Sequence, residues 1–141
     1  MIPIKLTMKN IGPFNGTAVV DFTQYKGIFL IAGDTGAGKT TILDAICYAF
    51  YGRTPSYAKF DIRSLRPDFV DSAAVAYIAF PFKIPEGDAE KIYEIYRELP
   101  DTKKGETVKL FVLEDGEKKE FIAKTNETNE RIKSIIKLEY S

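Results

Sequence analysis

The sequence predicts an α/β fold with a central sheet, in which a glycine-rich loop joins a buried strand to a buried helix and an antiparallel β meander follows. Three observations carry this expectation. Ile28–Ala32 is an unbroken apolar run, the pattern of a strand covered on both faces in the centre of a parallel sheet, and glycines follow at once at positions 33, 36 and 38. Lys39–Tyr51 is made of helix formers and has little polar surface, with Ile42, Leu43, Ala45, Ile46, Ala49 and Phe50 spread around it, so this helix is expected to pack on several sides. Beyond Ala73 the pattern changes to four strand-like segments separated by turn signals.

The remaining elements follow in chain order. Ile2–Asn10 alternates Ile4, Leu6 and Met8 with Lys5, Thr7 and Lys9, the period of a half-buried strand, and Gly12-Pro13 ends it. The Asn15-Gly16 pair is a strong hairpin signal, so Thr17–Phe22 is expected to pair back on the first strand. Gly52 suits the position after the helix and Pro55 prevents its resumption. Arg53–Ala73 is turn-rich and reads as a loop with at most one helical turn. Ala74–Ile84, Lys91–Leu99, Thr107–Leu113 and Lys118–Lys124 are the expected meander strands. Asn126–Leu138 returns to a helical period through Ile132, Ile135 and Ile136, with Thr125 or Asn126 as N-cap.

Size and composition bound the function. A chain of 141 residues is one domain or a piece of one, and 45% hydrophobic with 28% charged residues is globular composition. Histidine is absent and Cys47 is the lone cysteine, which removes His-based triads, mixed Cys/His zinc sites and disulfides. Twenty basic residues balance twenty acidic ones, so any polyanion must be bound locally. No apolar run reaches the ~18 residues of a membrane span, and Met1-Ile2-Pro3-Ile4-Lys5 lacks signal-peptide order. A cytoplasmic protein with no membrane partner is expected.

The chemistry lies in Gly33-Asp34-Thr35-Gly36-Ala37-Gly38-Lys39-Thr40, which fits G-x-x-x-x-G-K-[ST] between an apolar strand and a helix, the context this phosphate-binding loop requires. Its glycines let backbone N–H groups approach phosphates closely, and the helix N-terminus adds positive potential. In such a P-loop Lys39 places an ammonium on the β- and γ-phosphates of ATP, the Thr40 hydroxyl coordinates Mg2+, and Thr41 offers its N–H to the α-phosphate. Lys39 and Thr40 are therefore the expected catalytic residues, Thr40 the metal ligand, and Gly33 through Thr41 the nucleotide contacts.

Hydrolysis by P-loop enzymes also needs an acid at the end of an apolar strand. Leu110-Phe111-Val112-Leu113-Glu114-Asp115 imitates that pattern. Asp115-Gly116 is better read as a hairpin turn, because Lys109 interrupts the apolar run and alternating strands flank the pair. Lys9 and Asn10, after the first strand, are in reach of a nucleotide in principle; a turn-stabilising Asn and a solvated Lys explain them more simply.

Three stretches carry a family resemblance: Leu6-Thr7-Met8-Lys9-Asn10-Ile11-Gly12-Pro13-Phe14, Gly36 through Gly52, and Ser64-Leu65-Arg66-Pro67-Asp68-Phe69. They resemble the amino-terminal segment of the SbcC family, ATPase subunits of nuclease complexes in the SMC-like branch of ABC-type ATPases. The resemblance implies that residues 1–141 form the amino-terminal lobe of an ABC/SMC-type P-loop NTPase head, whose Q-loop, signature motif and acidic metal strand follow later in the family. It further implies an ATPase completed by a carboxy-terminal head segment and by a second copy across two sandwiched ATP molecules. The partners it implies are a nuclease subunit resembling SbcD, and DNA ends. Arg63 and Arg66 are candidates for an arginine that approaches phosphate or DNA in this branch. Asp34 stands where the family usually has proline, and near phosphates its carboxylate must turn outward or be paired. A small P-loop kinase and a non-catalytic interaction module are the competing readings; the meander counts against the kinase, which would keep alternating strand and helix.

Overall fold

The computed structural model describes residues 1–12, 16–23, 39–53, 75–100 and 105–136, with the backbone alone at Lys39 and Thr40. Within them the chain forms β1 (Ile2–Pro3), β2 (Lys5–Lys9), β3 (Thr17–Asp21), α1 (Lys39–Tyr51), β4 (Tyr77–Glu86), β5 (Ala89–Glu98), β6 (Thr107–Glu114), β7 (Glu117–Glu120) and α2 (Thr125–Ile136). The strands make one sheet in the order β3-β2-β4-β5-β6-β7, with β1 also against β4, and all these pairings are antiparallel. The expected strand Ile28–Ala32 lies outside the described residues, as do Thr54–Ala74.

The first expected strand is broken in two at Ile4, and a proline explains the break. The Ile4 N–H donates to Pro81 O at 3.0 Å, but Pro81 has no N–H to return, and the Ile4 carbonyl instead accepts from Phe22 N at 2.9 Å on its other side. β2 then pairs β3 from Lys5↔Asp21 to Lys9↔Thr17, the hairpin expected from Asn15-Gly16. The meander is also as expected, with shifted ends. β4 and β5 continue to Glu86↔Ala89, so only Gly87 and Asp88 form their turn. β7 stops at Glu120 rather than Lys124, because after a last pairing of Phe121 N with Leu110 O the chain turns into α2. The first α2 bond, Thr128 N to Lys124 O, makes Lys124 the capping residue, ahead of the expected Thr125 or Asn126. Lys137 and Leu138 lie outside the described residues.

Alternation along the strands sends Leu6, Met8, Ile78, Phe80, Phe82, Tyr93, Ile95 and Leu110 to one face, where all are buried. Helices α1 and α2 cover that face and touch each other. Phe50 of α1 meets Phe80 and Phe82 edge-on, with ring centroids 5.4 and 5.8 Å apart, and Phe82 stacks on Tyr93 at 5.8 Å. Each such ring contributes roughly 1.5–3 kcal/mol through burial. Helix α1 is less enclosed than its composition suggests: Leu43 is 54% exposed, while polar Asp44 is only 3% exposed. Burial raises the Asp44 carboxyl above its ordinary value.

Two outcomes test this packing. The Asp115-Gly116 pair carries φ of 52° and 77°, the left-handed conformations of a type I′ turn. Gly116→Val should lower unfolding free energy by roughly 1–2 kcal/mol in urea titration, whereas Asp115→Asn should leave it nearly unchanged. Asp44 has a raised folded-state value, so its favourable contribution belongs to the protonated form. It is fully present below the ordinary carboxylate value and is lost as pH rises through the raised one. Asp44→Asn should therefore gain stability relative to wild type as pH rises from about 4 to 7. A pH-independent difference in urea midpoints would contradict the burial of a carboxylate here.

Candidate functional site

The site begins where α1 begins. Lys39 and Thr40 are its first two residues, and the segment Gly33–Gly38 that precedes them lies outside the described residues, as do Arg63 and Arg66. The expected phosphate contacts of Gly33, Asp34, Thr35, Gly36, Ala37 and Gly38 thus fall on residues outside those described. Helix α1 has no acidic residue in its first turn, so its backbone N–H groups and positive dipole end are not offset from within the helix. A helix so arranged favours an anion at its start.

The first turn is positioned by the loop after β2. A Cβ built on Gly12 would lie 2.5 Å from Thr41 Cγ2 and 2.9 Å from its Oγ1, so only glycine lets the loop approach Thr41 this closely. Asn10 holds the loop from the other side. Its backbone N–H donates to Gly16 O at 2.9 Å, and its Nδ2 donates to Val75 O at 2.9 Å, just before β4. Asn10 is buried with φ 56° and is a structural residue of the turn, while Lys9 is exposed. Thr41 is half-buried against Gly12.

The last turn of α1 has no basic residue of its own, and a cation arrives from the sheet. Arg97 of β5 is fully buried and donates from Nε to Ala49 O at 2.8 Å. Ala49 O is one of the carbonyls that a helix C-terminus leaves without an intrahelical partner. Arg97 also pairs through Nη1 with Glu106 and donates from Nη2 to Asn129 Oδ1 of α2 at 2.8 Å. Its guanidinium carbon lies 5.8 Å from the Tyr48 ring centre. Burial presses the Arg97 value down, Glu106 and Tyr48 push it back up, and a guanidinium stays charged at neutral pH. Burial likewise raises the Tyr48 phenol, with the Glu106 charge adding to the effect. Gly52 follows α1 with φ 69°, and a Cβ there would be 3.0 Å from Glu106 Oε1 and 3.2 Å from Arg97 Nη1.

Reading the sequence did not single out Arg97. A signal was present: Tyr93, Ile95 and Arg97 alternate onto one face, so the strand that buries the first two must bury the third. The acidic imitation at Glu114-Asp115 is a turn. Glu114 pairs across it with Glu117, and both glutamates are exposed. Among the described residues no group of three or more His, Cys, Asp or Glu side chains is placed to hold a metal ion. No described helix is long and apolar enough to cross a membrane.

Known proteins are similar to this chain in sequence. A family model described as an AAA domain matches residues 5–141. The SbcC component of the SbcCD nuclease of Treponema pallidum is 44% identical over 102 residues, which is 72% of this chain and 9% of that protein. The component of the same name in Vibrio cholerae is 35% identical over 98% of this chain and 14% of its own length. That of Staphylococcus epidermidis is 32% identical over 96% of this chain and 14% of its own. The chain thus spans between 9% and 14% of these relatives. AAA domains bind nucleotides in general. The chain belongs to the AAA-domain family, as an SbcC-like part of an ATPase head.

Proposed function

We propose that residues 1–141 are the ATP-binding amino-terminal lobe of a DNA-repair ATPase head that regulates an associated nuclease acting on DNA ends. The observation that carries this is the Gly33–Thr40 motif, whose last two residues open a helix with a first turn free of acids and a flank fixed by Gly12. Support also comes from the meander of β4 to β7, which holds no helix among its described residues, since a small kinase would interleave helices there.

In this reading the N–H groups of Asp34 to Thr41 wrap the phosphates, and the glycines at 33, 36 and 38 keep side chains out of the cradle. Lys39 orients the β- and γ-phosphates and offsets their charge. Mg2+, when bound, neutralises charge across the same two groups, and the Thr40 hydroxyl is a hard oxygen ligand suited to it. Thr41 donates its N–H to the α-phosphate while its side chain stays packed on Gly12. This reading requires the Asp34 carboxylate to point outward or be paired, and it keeps Arg63 and Arg66 as the candidates for phosphate or DNA. The carboxy-terminal head segment, a second copy of the head, an SbcD-like nuclease subunit and DNA complete the assembly.

Lys39→Ala should weaken Mg-ATP binding by roughly 1.5–3 kcal/mol, the range of a charged hydrogen bond, with an unchanged circular dichroism spectrum. Unchanged affinity in calorimetric titration would contradict phosphate binding by this loop.

This segment alone should release no phosphate from ATP, and adding the matching carboxy-terminal head segment should create turnover. In that reconstituted head, Glu114→Gln with Asp115→Asn should leave the rate nearly unchanged, because both belong to a hairpin turn. If they were instead the metal acid and catalytic base, the rate would fall by orders of magnitude.

A further inference from the structure

Helix α1 is held at both ends by residues from elsewhere in the chain. Gly12 abuts Thr41 at its first turn, and Arg97 binds the Ala49 carbonyl at its last. Its 13 residues span about 20 Å, and a helix that short moves as a rigid rod. A shift imposed at Ala49 is therefore delivered to the turn that carries Lys39 and Thr40, the end of the phosphate-binding motif.

The same guanidinium holds α2. A guanidinium is a planar fork with its donors in fixed directions, so it cannot follow one partner without leaving another. Nε is committed to Ala49 of α1, Nη2 to Asn129 of α2, and Nη1 to Glu106 just ahead of β6. Arg97 has no exposure to water, so a displaced donor finds no replacement there. Moving Asn129 must either drag the fork, and α1 with it, or leave a buried N–H unpaired.

We propose that Arg97 is a positioning residue that couples α2 to the nucleotide-loop helix, so that nucleotide at the start of α1 and the placement of α2 bias one another. The coupling rests on the ATP-binding reading above. By linkage it is reciprocal: whatever fixes α2 tightens ATP, and ATP fixes α2. Asn129 is the informative position because it is half-buried on α2, away from the motif, and its side-chain oxygen is linked to α1 through the Arg97 fork.

The test uses the 141-residue chain, calorimetric titration with Mg-ATP, and amide hydrogen exchange. Asn129→Leu removes the acceptor and should weaken Mg-ATP binding roughly three- to tenfold. Asn129→Asp keeps an acceptor facing Arg97 and should bind like wild type. In wild type, Mg-ATP should slow exchange in Thr125–Ile136 more than in the β4–β5 hairpin, beyond the uniform slowing that ligand binding brings to a whole domain. Wild-type affinity in Asn129→Leu, even with a lowered unfolding midpoint, would show Arg97 to be structural only. Equal slowing in α2 and in the hairpin would overturn the coupling without any variant, which decides the matter should Asn129→Leu not fold. Failure of wild type to bind Mg-ATP is a separate outcome: it removes the nucleotide reading, and the coupling falls with it.

Discussion

The buried guanidinium of Arg97 is the tie on which the seating of both helices depends. It sits on the helix-covered face of the sheet among Tyr93, Ile95 and Leu110, yet each of its three nitrogens has a partner: a helix carbonyl, a carboxylate and a side-chain amide. Burying a charge is costly, and it is sustained only where such partners are complete. Removing one partner of a buried pair costs about 3–5 kcal/mol, so the ring of partners holds together as a unit. Gly52 belongs to that unit too, since a side chain there would press on Glu106 and Arg97.

This tie gives α1 an electrical polarity that its own sequence lacks. The helix carries neither an acid in its first turn nor a base in its last. With Arg97 at the C-terminal end, its dipole is complemented there, and the N-terminal end remains positive toward the motif. Packing supplies the orientation: Phe50 locks into Phe80 and Phe82, and Thr41 lies against Gly12. The aromatic contacts fix the rotation of the helix, and the glycine contact fixes how closely the β2–β3 loop approaches its first turn. A phosphate site built on a helix start needs both, because N–H donors act only when aimed.

Much of this was legible because local chemistry decided it. Helix α1 spans Lys39–Tyr51 as expected, with Gly52 taking φ 69° behind it. The Asp115-Gly116 turn was legible from two residues. What was not legible turned on partners that the local residue pattern does not announce. Ile4 breaks the first strand because Pro81, far along the chain, has no N–H to give. Helix α2 starts at Thr125 because its first bond runs to the carbonyl of Lys124, a residue with no capping side chain to announce it. Leu43 is open to solvent and Asp44 buried, an inversion that helix periodicity within α1 could not reveal without knowing where the sheet lies. Arg97 is the largest omission. Its type argued for solvent and its position in the alternation argued for the core, and only Ala49, Glu106 and Asn129 together explain why position prevails.

Every functional role assigned to α1 turns on phosphate being held at its start. The most direct measurement is a crystal structure of the chain grown with Mg2+ and a non-hydrolysable ATP analogue. The β-phosphate should lie within hydrogen-bond distance of backbone N–H groups between Gly36 and Thr40, with the Lys39 ammonium on the β- and γ-phosphates. Nucleotide bound elsewhere on the chain, or held at this loop by its base with the phosphates in solvent, would contradict that placement.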